Sequence, residues 1–182
     1  DYSVVILNLD PIEERITLIG HDAAVNTVKF SPSGDLLASG GDDNQILLWK
    51  MSYPVKKNIE IEPIILGKHR GKVVDIKFSK DGKYLISASW DGSIGIWNIK
   101  ERKKIRFMRG HKGPVYSVNF SKDNNQIYSS GYDGEIKLWN FKDGNYIRTL
   151  VKNGWGISVF EVNKDKNFIA YGSTDGQIKI VK

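Results

Sequence analysis

Short runs of alternating apolar and polar residues make up this chain, and turn-forming residues separate the runs. Residues 25–30 (VNTVKF), 36–40 (LLASG) and 45–49 (QILLW) are three such runs, with the turn residues SPSG after the first. A period of two is typical of β-strands that bury one face, and tight turns favour antiparallel pairing. No helical period stands out anywhere in the sequence. The pattern therefore predicts an all-β chain.

The three-strand pattern returns at a fixed interval. A histidine precedes its first strand and a tryptophan ends its third strand, and both recur after 48 and then 42 residues. Adding 42 residues once more reaches Asn153 and Val181, so a fourth unit keeps the strand pattern without these two side chains. A period of this length indicates a repeat architecture. The remaining predicted strands lie at 73–78, 84–89, 93–97, 115–120, 126–130, 135–139, 157–162, 168–172 and 177–181.

The first residues of the chain match the end of a unit. Residues 4–9 align with a third strand, residues 15–18 fit an outer fourth strand, and Asp1 takes the place of Asp133. Each sheet is therefore expected to have four strands, and the chain is expected to begin and end inside units. Residues 50–63 form a longer polar connection that is expected to loop outward.

Composition narrows the class of protein without identifying a function. Of the 182 residues 40% are hydrophobic, which is enough for a sizeable core. Cysteine is absent, which excludes disulfides and favours an intracellular location, in the cytoplasm or the nucleus. No apolar run approaches the roughly 18 residues of a membrane span, so no membrane contact is expected. The net charge of +6 comes from dispersed lysines, which makes nucleic acid a less favoured partner.

Four residue types recur at matching positions of the units. A His, a Ser and an Asp together could form a hydrolase triad, but an enzyme needs one such site and not one per unit. A structural role explains the repetition, because a buried indole N–H can donate to Ser, Ser can bond the imidazole, and Asp can hold the other ring nitrogen. We predict a network that locks the three inner strands of each sheet, with no catalytic residue, metal site or cofactor. Its members are His21, Ser39, Asp43, Trp49, His69, Ser87, Asp91, Trp97, His111, Ser129, Asp133, Trp139 and Asp175.

With these residues and a Gly-His pair at repeating spacing, the sequence resembles the WD-repeat family of β-propellers over essentially its whole length. The Asp that usually follows the Trp is Lys or Asn here, at a position that varies in the family. The fourth unit departs further, because Asn153, Tyr171 and Val181 replace the His, Ser and Trp. We expect its sheet to be less rigidly cross-linked.

The resemblance implies an all-β WD-repeat β-propeller with about four blades in this chain. Rings of the family usually have seven blades, so residues 1–182 are expected to be a propeller segment whose partners include the remaining blades. In this interpretation residues 1–18 end one blade, and units end near residues 49, 97, 139 and 181. A self-contained four-bladed ring is the alternative, although the two ends of the chain duplicate a third strand instead of complementing each other.

The resemblance also implies an interaction platform without catalysis. Partners of the family commonly bind the face that carries the loops before the first strand and after the second strand. The family pattern points there to the third and fifth residues after the His and to the residue before the turn Asp. In this sequence these positions hold Ala24, Asn26, Asp42, Lys72, Val74, Trp90, Pro114, Tyr116, Tyr132, Gly156, Ser158 and Thr174.

An aromatic cluster of Trp90, Tyr116 and Tyr132 is the strongest candidate on this face, because aromatic side chains bury much area with little loss of entropy. Lys72 is a candidate contact for an acidic group. The alternative is that the aromatic rings pack on each other and cap the ring. Trp155 has no counterpart in the family and is expected to pack in place of the missing histidine.

The leading prediction is a non-enzymatic scaffold that binds a partner protein or peptide within a multi-subunit complex. A chromatin- or nucleic-acid-associated subunit, histone chaperone-like or RNA-processing, is the alternative. In its favour, residues 21–50 resemble a blade of the propeller subunit of chromatin assembly factors, whereas the later units are generic. Lysines on the opposite face alternate with aspartates except at 102–104, which favours a solvated rim over a phosphate-binding stripe.

Overall fold

A computed structural model describes residues 2–7, 15–52, 61–163 and 168–182. Every regular element in these ranges is a β-strand, so the prediction of an all-β chain is confirmed. None of their elements is a helix long and apolar enough to cross a membrane. The predicted alignment of Asp1, the end of the strand at 4–9 and the middle of the connection at 50–63 lie outside the described residues.

Apart from the fourth strands of the three full sheets, for which the sequence analysis gives no bounds, the strands agree with the predicted ones to within a few residues at each end. In chain order they are β1 (Ser3–Leu7), β2 (Arg15–Ile19), β3 (Val25–Phe30), β4 (Leu36–Gly41), β5 (Gln45–Lys50), β6 (Ile64–Lys68), β7 (Val73–Phe78), β8 (Tyr84–Ser89), β9 (Ser93–Asn98), β10 (Lys103–Arg109), β11 (Val115–Phe120), β12 (Gln126–Gly131), β13 (Glu135–Asn140), β14 (Tyr146–Lys152), β15 (Ile157–Asn163), β16 (Phe168–Ser173) and β17 (Ile178–Val181).

Neighbours in sequence are neighbours in space in every sheet. Strands β3 to β6, β7 to β10 and β11 to β14 each form a four-stranded antiparallel sheet, while β1 pairs with β2 and β15 to β17 form a three-stranded sheet. The first strands β3, β7, β11 and β15 contact one another in succession. This is the arrangement of propeller blades, with the first strand of each blade innermost. The expectation that the chain is a segment of a seven-bladed ring stays a prediction.

The hydrophobic core is divided among the junctions between neighbouring sheets. In one junction Ile46 and Leu66 of one blade pack with Val73, Leu85 and Trp97 of the next blade. Equivalent clusters lie at the other three junctions. Each blade is therefore stabilised by its neighbours, as in other repeat proteins.

Two residues after the tryptophan that ends the third strand, a hydrophobic side chain fills the junction with the preceding sheet. Met51, Ile99 and Phe141 hold this position in the first three units, and each packs with the cluster of its junction. The ring of Phe141 lies 5.1 Å from that of Tyr84 and 5.7 Å from that of Phe120, centre to centre. A hydrophobic residue is needed there because the position lies between two sheets and not on a free edge.

Candidate interaction surface

The repeated polar side chains form a buried hydrogen-bonded chain. In the second unit, Nε1 of Trp97 donates to Oγ of Ser87 at 2.8 Å, and Nε2 of His69 lies 2.7 Å from the same oxygen. Nδ1 of His69 lies 3.2 Å from Oδ2 of Asp91, which also accepts the backbone N–H of Arg70 at 2.9 Å. The same bonds occur around His21 and His111.

This geometry suits bracing and offers no reactive group to a substrate. Ser39, Ser87 and Ser129 each have 0% exposed surface, whereas a nucleophile must reach its substrate. Within the described ranges, no three His, Asp or Glu side chains are grouped as metal ligands would be. We therefore propose that the network braces the fold.

Each network joins two strands of one sheet to the chain segment that arrives from the preceding sheet. His69 follows β6, the outer strand of one blade, whereas Ser87 and Trp97 lie on β8 and β9 of the next blade. The sequence predicted a connection among the strands of a single sheet. The bond from Trp97 to Ser87 joins two inner strands of one sheet, and the histidine lies on the segment that links this sheet to the preceding one. That the network locks the inner strands of each sheet stays a prediction.

The carboxylates of the network are held in the ionised form. Burial by itself raises the pKa of Asp133, but the hydrogen bonds with the His111 ring and the Lys112 backbone N–H lower it to about 2. In Asp91, burial is likewise outweighed by bonds with His69 and Ser93, and the pKa is well below its usual range. These side chains therefore remain charged acceptors at neutral pH.

The loops before the first strand and the turns after the second strand lie together at one end of the sheets, which we call the loop face. The same backbone hydrogen bond joins loop and turn in every unit. The N–H of residues 42, 90, 132 and 174 donates to the carbonyl of residues 24, 72, 114 and 156, at 2.8 to 3.0 Å. All the positions predicted for partner binding therefore lie on one repeated surface.

A β-bulge shapes this surface in each unit. The register between first and second strands shifts at Asn26, Val74, Tyr116 and Ser158. These are the positions five residues after the His position that were predicted from the sequence. A bulge leaves its extra residue unpaired and re-aims the side chain, so the backbone itself marks these positions.

The polar candidates of the first two units bond to each other. Nδ2 of Asn26 donates to Oδ1 of Asp42 at 2.8 Å and to the carbonyl of Val73 on the next blade at 3.0 Å. Nζ of Lys72 donates to Oδ2 of Asp42 at 2.5 Å and lies 5.3 Å from the ring centre of Trp90. Lys72, predicted to contact an acidic group of a partner, therefore already pairs with an acid of its own chain.

Two other candidates are partly hidden. Val74 is partly buried and packs against the core between the second and third blades. Tyr116 is half-buried, and burial, together with the neighbouring Tyr132, raises its pKa. Tyr116 and Tyr132 are therefore near each other, but Tyr116 is half-buried, whereas Tyr132 is exposed.

The exposed aromatic residues of the loop face are Trp90, Tyr132 and Trp155, at 50%, 63% and 61% exposure. The expectation that Trp155 packs in place of the missing histidine is wrong. In the fourth unit Nζ of Lys179 donates to Oδ1 of Asn153 at 3.0 Å, so a lysine bonds the residue at the histidine position. Trp155 aligns with Ala23, Gly71 and Gly113, and this alignment with small residues was the sequence signal for its exposure.

The loop that carries Trp155 lies between two turns. A Cβ built on Gly156 would lie 3.3 Å from the carbonyl oxygen of Tyr132 and 3.4 Å from Cγ2 of Thr174. Nδ2 of Asn153 donates to the carbonyl of Trp155 at 3.1 Å and restrains the loop. Trp155 therefore extends the surface that begins at Trp90 and Tyr132.

Stacked four-stranded sheets with one repeated loop face define a β-propeller. The family model described as "WD repeat-containing protein 75 first beta-propeller" matches residues 77–180, and the model "WD domain, G-beta repeat" matches residues 13–50. The first match covers more than half of the chain. The chain therefore belongs to the WD-repeat β-propeller family, as its sequence pattern predicted.

Curated relatives share shorter stretches with the chain. A subunit of chromatin assembly factor 1 from Gallus gallus is 51% identical over 53 residues, which are 29% of this chain and 9% of the relative. The corresponding protein of Saccharomyces cerevisiae is 50% identical over 38 residues, 21% of this chain and 8% of the relative. Small ribosomal subunit protein RACK1y of Oryza sativa is 39% identical over 75 residues, 38% of this chain and 22% of the relative. The chain thus spans less than a quarter of the length of these relatives.

Proposed function

We propose that this chain is a non-enzymatic scaffold that holds a partner protein or peptide on its loop face, within a multi-subunit complex in the cytoplasm or nucleus. The exposure of Trp90 and Tyr132 on adjacent units carries the proposal. Large aromatic side chains that remain exposed together on a soluble surface commonly act as interface anchors. The names of the relatives agree, since they describe subunits of a chromatin assembly factor and of the ribosome.

The rigidity of the loop face supports this function. The loop-to-turn hydrogen bonds and the buried networks fix the backbone on which the aromatic residues stand. A fixed platform loses little conformational entropy when a partner binds, so more of the contact energy contributes to affinity. Asn26, Asp42 and Lys72 serve mainly to join the first two blades in this proposal.

A double variant, Trp90→Ala with Tyr132→Ala, tests the proposal. We expect it to fold normally and to lose its partners in an affinity purification from cells, because both anchors are removed. Ile105→Ala with Ile147→Ala is the matched control, because these residues are also exposed but lie on the outer strands β10 and β14. Unchanged recovery of partners by the Trp90 and Tyr132 variant would contradict the proposal.

A chromatin- or nucleic-acid-associated subunit is the second candidate. The identity of about half the residues with the chromatin assembly factor 1 proteins in the matched stretches favours it. Direct binding to DNA or RNA would weaken steeply as salt is raised, because bound cations of the nucleic acid are released. Absence of binding at low salt would remove direct nucleic-acid contact and leave the scaffold function.

A further inference from the structure

Next to Trp90 and Tyr132, the loops of the second and third units present positively charged side chains to a partner. The carboxylates of the turns at Asp91 and Asp133 point inward, with 6% and 7% of their side chains exposed, and accept the backbone N–H groups of Arg70 and Lys112. The side chains of Arg70 and Lys112 are themselves exposed. Neither of them pairs with a carboxylate anywhere in the described part of the chain.

An exposed cation and an exposed aromatic ring lie on the loop face of both the second and the third unit. Trp90 donates its backbone N–H to the carbonyl of Lys72 in the loop that carries Arg70, at 3.0 Å. Tyr132 is joined in the same way to Pro114, at 2.9 Å, in the loop that carries Lys112. Trp90 and Tyr132 therefore each stand beside a loop with an exposed cation, and the fourth unit adds the exposed ring of Trp155, with Gly154 at the position of the cation.

We propose that the loop face takes an acidic peptide segment with interspersed apolar side chains, and that Trp155 anchors it together with Trp90 and Tyr132. This inference rests on the proposed function and adds the chemistry of the partner. Carboxylates of the peptide would pair with Arg70 and Lys112, and its apolar side chains would pack on the rings.

Nucleic acid fits this surface less well. A phosphate backbone needs a continuous row of cations, but Lys72 is neutralised by Asp42. A peptide can place its carboxylates at intervals and its apolar side chains between them. The presence of single exposed cations together with exposed rings therefore favours a peptide.

Binding of a synthetic peptide tests this inference. The probe is fluorescein-labelled Gly-Glu-Phe-Glu-Ser-Glu-Phe-Glu-Gly, and the comparison peptides replace either Glu by Lys or Phe by Ala. We expect fluorescence anisotropy to show binding of the first peptide that weakens with salt, and weaker binding of both comparison peptides. Equal binding of the Lys-containing peptide would overturn the proposal, and so would tighter binding of oligouridine.

Variants locate the binding site. Trp155→Ala is expected to weaken peptide binding about tenfold or more, and Trp155→Tyr to retain most of it. Arg70→Glu with Lys112→Glu is expected to abolish the salt-dependent part of binding, whereas Lys80→Glu with Lys100→Glu changes the net charge equally on the opposite face and should have no effect. Peptide binding that is unchanged in Trp155→Ala would show that Trp155 is not an anchor.

Quenching of tryptophan fluorescence gives a second readout that needs no peptide. Trp49, Trp97 and Trp139 are fully buried, so an ionic quencher reaches Trp90 and Trp155. We expect Arg70→Glu with Lys112→Glu to lower quenching by iodide and to raise quenching by caesium relative to the parent chain. Unchanged quenching by both ions would contradict the cationic surface. If no acidic peptide binds while the Trp90 and Tyr132 variant still loses its cellular partners, the proposed function stands and the acidic class of partner is wrong.

Discussion

The hydroxyl of Ser87 connects two buried polar groups, because it accepts from the Trp97 indole and bonds the His69 ring. Ser87→Ala leaves both without this partner, and we expect the free energy of unfolding to fall by about 1–3 kcal/mol in urea denaturation. Ser52→Ala is the control, because Ser52 is exposed and its change should stay within about 0.5 kcal/mol. Equal effects of the two substitutions would show that the network contributes nothing to stability.

Because its pKa differs between the folded and the unfolded chain, Asp133 makes the free energy of unfolding depend on pH. Its folded pKa of about 2 lies below the unfolded value near 3.9, so its contribution is fully present above pH 5 and is lost as the pH falls through 2. The shift corresponds to about 2–3 kcal/mol. We expect the free energy of unfolding, measured in urea from pH 7 to pH 2, to fall less steeply in Asp133→Asn than in the parent chain. Parallel curves would contradict this assignment.

The recurring His, Ser, Asp and Trp residues could be predicted because each unit repeats them at the same local spacing. The pair of Lys72 and Asp42 could not, since it forms between two sheets and depends on how they pack. Trp155 was misjudged because a lost histidine suggested a hydrophobic replacement, whereas the chain uses Lys179 with Asn153. Contacts that recur in successive units were therefore predictable, and contacts that occur once were not.

Among the strands, the inner three of each blade were easier to predict than the outer one. Strands β10 and β14 read KKIRFMR and YIRTLVK, which lack clean alternation. Both pairings with the neighbouring strand contain register shifts, at Lys104 to Arg106 and within residues 136–139. A shift moves side chains out of strict alternation, so the period of two is lost from the sequence.

Substitution of Phe141 tests whether the hydrophobic side chains in the junctions between sheets stabilise the fold. Phe141→Ala removes a ring that packs on Tyr84 and Phe120, and we expect a loss of about 2 kcal/mol in the free energy of unfolding, less than for a fully buried Phe. Phe141→Leu should recover most of the loss, because it still fills the junction. Lys142→Ala, at the exposed neighbouring position, is the control. A loss as small as that of the control would show that this position does not hold the blades together.

The stability of a repeat protein is approximately the sum of the stabilities of its repeats and of the contacts between neighbouring repeats. A unit with a weaker hydrogen-bond network should therefore unfold locally before the others. The fourth unit has Asn153, Tyr171 and Val181 in place of the His, Ser and Trp. We expect amides shared by β15 and β16 to exchange hydrogen at least about tenfold faster than those shared by β7 and β8.

The number of neighbouring sheets is a competing explanation for faster exchange in the fourth unit. The sheet of the fourth unit contacts described residues on one side, whereas the sheet of the third unit contacts sheets on both sides. His111→Asn separates the two causes, since it gives the third unit the residue that the fourth unit has. If the network sets local stability, exchange in β11 and β12 should rise in this variant while β7 and β8 change less. If exchange in the third unit does not change, contacts with neighbouring sheets set the local stability, and the buried histidine mainly fixes the geometry of the loop face on which Tyr132 stands.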